Sequence, residues 1–171
     1  MGHLNPAWNE DSSPATVNER FGRAMALTGQ EFRAFLEHLL ASWWPARQLV
    51  AMAFATRTDL HASGQVIFLK EYCPWQDHLF QLEEESGVVG LVKYVLYHDS
   101  AGYVRVHAVP SKLGNFELRL ALPEKWRGVR GDLLSSVAGI EGCTFVHANG
   151  FIGGNKTMDG ALKMVEVALQ E

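Results

Sequence analysis

The chain has 171 residues, of which 47% are hydrophobic and 20% are charged, and its formal net charge at pH 7 is -4. This length and composition predict a single globular domain over residues 1–171, with one well-filled core. The slightly acidic balance argues against a protein that coats duplex nucleic acid, although it leaves room for a local basic face.

Two packed helices are predicted in the N-terminal part. Ser13 and Pro14 suit the cap and the first residue of a helix. Large apolar residues then recur at helical spacing from Val17 to Trp43, which predicts a stripe that lies in the core. Pro45 would cost a hydrogen bond inside that helix, so we expect it to begin a second one that reaches Phe54.

The middle of the chain predicts a strand, a short helix and an acidic helix end. Val66 to Leu69 form a continuous apolar run of strand length, which is typical of a buried strand. A short helix follows, with Pro74 near its start. We interpret Glu83-Glu84-Glu85 as the solvated end of this helix rather than as a metal site, because such runs usually lie on the surface.

A β-hairpin is predicted next. Leu91 to Tyr97 and Tyr103 to Val109 are rich in β-forming residues, and a glycine-containing loop joins them. Apolar residues alternate with Arg105 and His107, which indicates one buried and one wet face. The segment Phe116 to Leu122 alternates in the same way until Pro123 ends it.

The densest positive charge follows that proline. Four cations stand against the single acid Glu124, so a modest basic patch is expected beside the glycine-rich stretch near the C-terminus; they are Arg119, Lys125, Arg127 and Arg130. Trp126 has two interpretations. It could stack a nucleobase, or it could be a buried anchor whose flanking cations point to water, since large aromatics are mostly buried.

The stretch from His147 to Thr157 is predicted to be a binding loop between a strand, Cys143 to Val146, and a C-terminal helix. Free N–H groups at a helix N-terminus favour an anion, and glycines let a phosphate approach closely. Lys156 would add a positive charge. The candidate substrate-binding residues are His147, Gly150, Phe151, Gly153, Gly154, Asn155 and Lys156, with Lys125, Arg127 and Arg130 as further contacts.

A plain tight turn is the alternative for this stretch. It lacks the spacing of a Walker loop or a dinucleotide fingerprint, and Asp159 already supplies a negative charge in the first helical turn. His147 leads into the glycines from a strand end, where it could bond a phosphate or a sugar. It could equally be part of the fold.

Catalytic and metal motifs are not found in the sequence. The seven histidines are scattered, and the doublet His98-Asp99 falls in the predicted hairpin loop, which favours turn chemistry over ligation. Cys73 and Cys143 lie far apart and indicate neither a zinc cluster nor a disulfide, so a reducing compartment fits best. We expect no catalytic residue, no bound metal or cofactor and no membrane span in this chain.

The predicted elements combine into an α/β domain. A mixed sheet of about four to six strands, a usual size, is expected to be covered by the N-terminal helices and the C-terminal helix.

Five segments together resemble the melanocyte-proliferating-gene exonuclease family, a branch of the DHH phosphoesterase superfamily. The resemblance runs from Leu4 to about Leu169 in the family's order and covers the family's C-terminal half. The segments are Leu4-Asn5-Pro6-Ala7-Trp8-Asn9, Trp44-Pro45-Ala46-Arg47, Cys73-Pro74-Trp75, Leu122-Pro123-Glu124-Lys125-Trp126-Arg127-Gly128 and His147 to Thr157.

This resemblance implies the fold of a DHH-associated C-terminal domain, which closes on an N-terminal metal domain across a cleft. It implies that Gly150 to Lys156 form the substrate loop, that the substrate is RNA, and that the N-terminal domain binds manganese or magnesium. It also implies mitochondrial and nuclear residence. The expected function is therefore the substrate-binding half of a metal-dependent 3′-to-5′ RNA exonuclease, inactive alone.

A protein-interaction module is the rival hypothesis. It would dock a partner through the apolar tip formed by Phe151 and Ile152. Salt distinguishes the two, because binding of a nucleotide phosphate weakens steeply as salt rises and apolar docking does not.

Overall fold

The computed structural model describes residues 4–170, and the chain divides between Trp44 and Pro45 into two compact units. The prediction that residues 1–171 form one domain stays a prediction. None of the helices in the described chain is both long enough and apolar enough to cross a lipid bilayer.

The first unit is dominated by one helix, α1 (Pro14–His38), which continues through a π-helical turn (Leu39–Trp43). Ser13 caps the helix as predicted, since its side chain accepts a hydrogen bond from the Thr16 N–H. The predicted core stripe is wrong. α1 has no buried residue, and Phe21, for example, is 63% exposed. Helical spacing places apolar residues on one face, but it does not specify what covers that face.

The second unit contains five further helices and five strands among its described residues. In chain order they are α2 (Trp44–Ala55, within this unit from Pro45 on), α3 (Arg57–Leu60), β1 (Val66–Leu69), α4 (Gln76–Glu85), β2 (Tyr94–His98), β3 (Val104–Ala108), a 3-10 turn (Glu124–Trp126), α5 (Gly131–Ala138), β4 (Cys143–Val146), β5 (Ile152–Asn155) and α6 (Met158–Ala168).

The strands form one mixed sheet in the order β1-β2-β3-β5-β4. β1 and β2 are parallel, and the other neighbouring pairs are antiparallel. The predicted α/β fold with a mixed sheet is confirmed, as are the strand at Val66–Leu69 and the hairpin formed by β2 and β3.

Helices cover both faces of the sheet. On one face, Leu96 and Val106 pack with residues of α5 and α6, including Leu134 and Met164. On the other face, Val95 and its neighbours pack with residues of α2 and α4. This second layer covers β1 and β2. The half of the same face that lies over β3, β5 and β4 carries half-exposed side chains, and it is the more open part of the sheet.

The predicted strand-like segment Phe116 to Leu122 is not a strand. It makes one isolated bridge, between Leu118 and Pro110, and Phe116 is 98% exposed. Alternation alone cannot form a strand, because each strand needs a neighbour along its whole length to pair its backbone groups.

The acidic helix end was predicted to be solvated, and for Glu83 this is wrong. Glu84 and Glu85 are exposed, but Glu83 is fully buried and forms an ion pair with Arg119 at 2.7 Å. Its carboxylate also accepts hydrogen bonds from the N–H groups of Gly90 and Val92. Successive helical residues differ by about 100° around the axis, so three in a row span about 200°. Glu83, four residues after the buried Leu79, lies on the packed side of α4, and Glu84 and Glu85 point away from it.

Candidate functional site

The predicted binding loop is a β-hairpin in the structure. The strand before it (β4) and the helix after it (α6) are confirmed, but residues 152–155 form strand β5 rather than a loop. β5 lies between β3 and β4, so Gly153 and Gly154 are in the interior of the sheet. The turn itself is confined to residues between His147 and Phe151.

Gly150 makes this turn possible. Its φ angle is +69°, which favours glycine, and its N–H donates to the His147 carbonyl at 2.8 Å. A Cβ at this position would lie 2.8 Å from Nε of Arg127 and 3.1 Å from the Leu122 carbonyl oxygen. The turn therefore sits tightly against the segment that carries the predicted basic patch.

The glycines of β5 are explained by packing. A Cβ on Gly153 would lie 2.9 Å from Cγ2 of Val146, and one on Gly154 would lie 2.9 Å from Oγ1 of Thr144 and 3.0 Å from the Val104 carbonyl oxygen. Neighbouring strands thus require glycine here whether or not a ligand binds. The substrate-binding role of Gly153 and Gly154 stays a prediction.

Asn155 and Lys156 lie at the other end of the hairpin. Asn155 is fully buried, whereas Lys156 is exposed and its N–H donates to the Gly142 carbonyl at 2.9 Å. Phe151 is five residues before Lys156, which in extended backbone is roughly 16 Å. The structure therefore splits the predicted site into a turn end and a helix end.

Two of the predicted cations lie beside the hairpin, Arg127 against the turn and Arg130 against β4. Nε of Arg127 donates to the Leu122 carbonyl at 2.9 Å, and Arg130 forms an antiparallel bridge with Phe145 of β4. Lys125, Arg127 and Arg130 are all exposed. The predicted basic patch is wrong for Arg119, whose side chain is buried and paired with Glu83. The three exposed cations would raise the local concentration of an anion.

Trp126, in the middle of this patch, is fully buried and packs in the core with α5 and α6. Its interpretation as a buried anchor is confirmed, and the alternative that it stacks a nucleobase is wrong. Because the Trp126 side chain points into the core, the side chains of its neighbours Lys125 and Arg127 point away from the core and are exposed.

A row of rings runs from the turn across the open half of the sheet face and continues to the buried Tyr97 of β2 and the exposed Tyr72. We call it the aromatic row, and its ring centroids are 4.6 Å apart for His147 and Phe151, 5.8 Å for Phe151 and His107, 6.3 Å for His107 and Tyr97, and 4.8 Å for Tyr97 and Tyr72. The neighbouring rings are tilted or edge-on to one another, and the accessible ones, His147, Phe151 and Tyr72, offer faces on which planar groups can pack.

Three members of the row, His107, Tyr97 and Tyr72, were not among the predicted site residues. His107 was recognised in the sequence only as part of the wet face of β3, and Tyr97 was not singled out. The sequence did hold a signal for His107 and Tyr97, because both residues lie on strands of the predicted hairpin. In the structure Val95 pairs with His107, and Tyr97 lies two residues after Val95, so Tyr97 and His107 are on the same face of the sheet. Burial raises the pKa of Tyr97 to about 12, so its phenol keeps its proton.

Arg105 lies on the same face but is already engaged. It forms an ion pair with Asp99 at 2.6 Å, and its guanidinium lies over the Phe145 ring at 4.8 Å. Asp99 also accepts hydrogen bonds from the N–H groups of Ala101 and Tyr103. The interpretation of His98-Asp99 as turn chemistry is therefore confirmed.

No group of three or more His, Cys, Asp or Glu residues within 4–170 is arranged to hold a metal ion. Both cysteines are free and buried, and burial raises the pKa of the Cys73 and Cys143 thiols. A raised thiol pKa lowers the thiolate fraction and with it the reactivity of the sulfur.

His107 gives a pH-dependence to stability. Burial lowers the pKa of its imidazole below the usual 6.5. As the pH falls below about 6.5, the unfolded chain takes up this proton first, so the free energy of unfolding should fall. When the pH is lowered from about 7.5 to about 5.5, the free energy of unfolding should fall less for His107→Gln than for the parent protein. Urea denaturation at the two pH values measures this difference.

The fold and the site define the class of protein: an α/β domain whose mixed sheet carries exposed cations and a row of aromatic rings beside its C-terminal hairpin. The chain belongs to the MYG1 exonuclease family, whose model, described as "Uncharacterised protein family (UPF0160)", matches residues 1–169. It corresponds to the C-terminal part of that family.

Three relatives illustrate the match. The chain is 48% identical over 171 residues to the MYG1 protein of Dictyostelium discoideum, and the match covers all of this chain and 52% of the relative. It is 44% identical to the MYG1 exonuclease of Rattus norvegicus and 42% identical to that of Homo sapiens, each over 172 residues, covering all of this chain and 45% of the relative.

The chain therefore spans about half the length of the curated relatives it matches. Some of these relatives are named exonucleases, so the family has exonuclease members. No solved structure matches the chain.

Proposed function

We propose that this chain is the substrate-binding part of a metal-dependent exonuclease that acts on the phosphodiester bonds of RNA. The observation that carries the proposal is the pair of exposed cations beside the hairpin: Arg127 packs against Gly150, between His147 and Phe151, and Arg130 bridges to Phe145 of β4. Cations beside an exposed turn attract phosphates, and neighbouring rings accept bases or riboses.

Metal chemistry is assigned to the rest of the family protein in this proposal. The resemblance to DHH phosphoesterases implies manganese or magnesium, but the residues described here do not fit such an ion, since no three potential ligands converge within 4–170. We propose that an N-terminal DHH-type domain holds the metal and is the partner of this chain. Mitochondrial and nuclear residence belongs to the same proposal.

Removing a cation beside β4 should weaken RNA binding. Arg130→Gln deletes a charge-assisted interaction that contributes roughly 1.5–3 kcal/mol, so the affinity for a short single-stranded RNA should fall by about 10-fold or more at low salt. The slope of log affinity against log salt should also become shallower by about 0.7 for each phosphate that is no longer neutralised. Both quantities can be measured by fluorescence anisotropy.

Two matched variants locate the site. Lys163→Gln removes an exposed charge from α6 and should leave RNA affinity unchanged. Lys156→Ala removes the cation at the helix end of the hairpin. If Lys156→Ala weakens binding and Arg130→Gln does not, the phosphate binds at the helix end; if neither variant weakens binding at low salt, the substrate-binding proposal fails.

The rival hypothesis receives less support from the hairpin. Phe151 and Ile152 are only partly exposed, Ile152 is paired with His107 in the sheet, and the Phe151 ring contacts two histidine rings. These two residues do not form a projecting apolar tip. A ligand that binds without any salt dependence would nevertheless favour apolar docking over phosphate binding.

A further inference from the structure

A cavity of about 490 Å³ lies beside the contact between His107 and Phe151. This volume falls within the range of roughly 300–1,000 Å³ that is typical of small-ligand sites. The side chains that bear on the argument are Gln76, His107, Phe116, Asn149 and Phe151. Smaller apolar residues complete the walls together with Asn115, whose amide is already bonded to Ser111 and Glu117.

The described lining of this cavity has no Lys, Arg, Asp or Glu. Its one titratable side chain is His107, and burial lowers the pKa of that imidazole, so the ring is neutral near pH 7. The exposed Arg127 is instead placed against Gly150 in the neighbouring turn. The cavity therefore suits an uncharged part of a ligand whose charged part lies at the turn.

Aromatic rings supply the walls. Phe116 is 98% exposed, so both faces of its ring are accessible to a ligand. Phe151 is half-buried and belongs to the aromatic row. Rings in such positions stack planar groups, and stacking on a nucleobase needs no particular sequence because every base has an aromatic face.

Two amide side chains at the cavity are uncommitted. Those of Gln76 and Asn149 line it and make no hydrogen bond to any residue between 4 and 170. Each amide offers two donors and an accepting oxygen, which matches the mixed donor and acceptor edge of a base such as adenine. An alkyl or simple aromatic ligand would offer these amides no hydrogen-bond partner.

We propose that this cavity is a nucleobase pocket, in which Phe116 and Phe151 stack the base and Gln76 and Asn149 bond its edge. The proposal rests on the proposed function, because it assigns the base of a nucleotide whose phosphate lies at the cationic turn. The proposal thereby adds a base-binding site next to the phosphate-binding site.

Adenosine 5′-monophosphate and ribose 5-phosphate separate the two parts of the ligand. With the full chain in a calorimetric titration, we expect the nucleotide to bind at least about 10-fold more tightly than the sugar phosphate, since base stacking adds affinity. Phe116→Ala should weaken nucleotide binding by about 10-fold and leave ribose 5-phosphate binding unchanged. Phe116 is exposed, so its loss should not unfold the chain.

Leu113→Ala is the matched control, because Leu113 is 48% exposed in the same segment and does not line the cavity. It should bind both compounds like the parent. If the two compounds bind equally and Phe116→Ala changes neither, the base pocket is refuted while the phosphate site stands. If neither compound binds at millimolar concentration, the base pocket and the proposed function fail together.

Discussion

Arg119→Leu should lower the free energy of unfolding by about 3–5 kcal/mol, because it leaves the carboxylate of Glu83 buried without its counter-charge. The two side chains are 5% and 1% exposed. Arg119 also donates to the Val92 carbonyl at 2.8 Å, and its guanidinium lies over the Phe80 ring. The pair thus ties α4 to the chain before β2 and to the segment after β3. Urea denaturation measures the loss.

Arg47→Leu is the matched control for this prediction. Arg47 also forms an ion pair with a glutamate of α4, but its partner Glu85 is 59% exposed, so the loss should be about 1 kcal/mol or less. Replacing both buried partners, in Glu83→Leu with Arg119→Leu, should recover part of the stability, since an apolar pair needs no counter-charge. Equal losses for Arg119→Leu and Arg47→Leu would contradict the buried-pair argument.

Local patterns in the sequence predicted the elements whose partners are close by. The hairpin of β2 and β3 follows from alternation on either side of a glycine loop, and Arg105 and His107 lie on its more exposed face as expected. The helix after Thr157 follows from apolar spacing alone. In each case the residues that form the pattern and the residues that pair with them or cap them are close together in the sequence.

Contacts between distant segments could not be predicted in the same way. Glu83 was assigned to water because its sequence neighbours are acidic, but its partner Arg119 is 36 residues away. The apolar stripe of α1 was assigned to the core because its spacing is that of a core-facing helix, but the stripe is exposed. Periodicity gives the direction of a side chain and leaves open what that side chain meets.

The candidate site was predicted in part. The sequence indicated the turn with His147 and Phe151, and it placed the cations of the 125–130 segment nearby. The pairing of Arg130 with Phe145 explains that proximity. The role of glycine was less predictable, because Gly154 is required by the Val104 carbonyl and the Thr144 side chain, and these approach from two other strands.

Substitutions at Asn155 and Gly160, at the helix end of the hairpin, should have strongly non-additive effects on the free energy of unfolding. The Asn155 amide donates to the Glu141 carbonyl at 2.8 Å and accepts from the N–H of Thr157 at 3.0 Å. It is fully buried and fills the space where a Cβ on Gly160 would be. A methyl group there would overlap the amide, and α6 could not keep its present approach to β5.

Gly160→Ala should therefore lower the free energy of unfolding by about 3 kcal/mol, from overpacking together with broken hydrogen bonds. Asn155→Ala should cost about 2–4 kcal/mol, because it leaves buried backbone groups without partners. The double variant should cost little more than Asn155→Ala alone, because the shortened side chain leaves room for the new methyl group. A double-mutant cycle from urea denaturation measures this coupling.

Gly22→Ala is the control for the backbone effect. Gly22 lies in α1, and a Cβ there would have no atom within 4 Å, so alanine should be neutral or should stabilise that helix by up to about 1 kcal/mol. Additive costs for Gly160→Ala and Asn155→Ala would contradict the overlap.

The Asn155→Ala variant also tests the predicted ligand role of Asn155. If the amide only supports the hairpin, folded Asn155→Ala should bind RNA with the parent's affinity. Weaker binding with unchanged stability would make Asn155 a substrate contact.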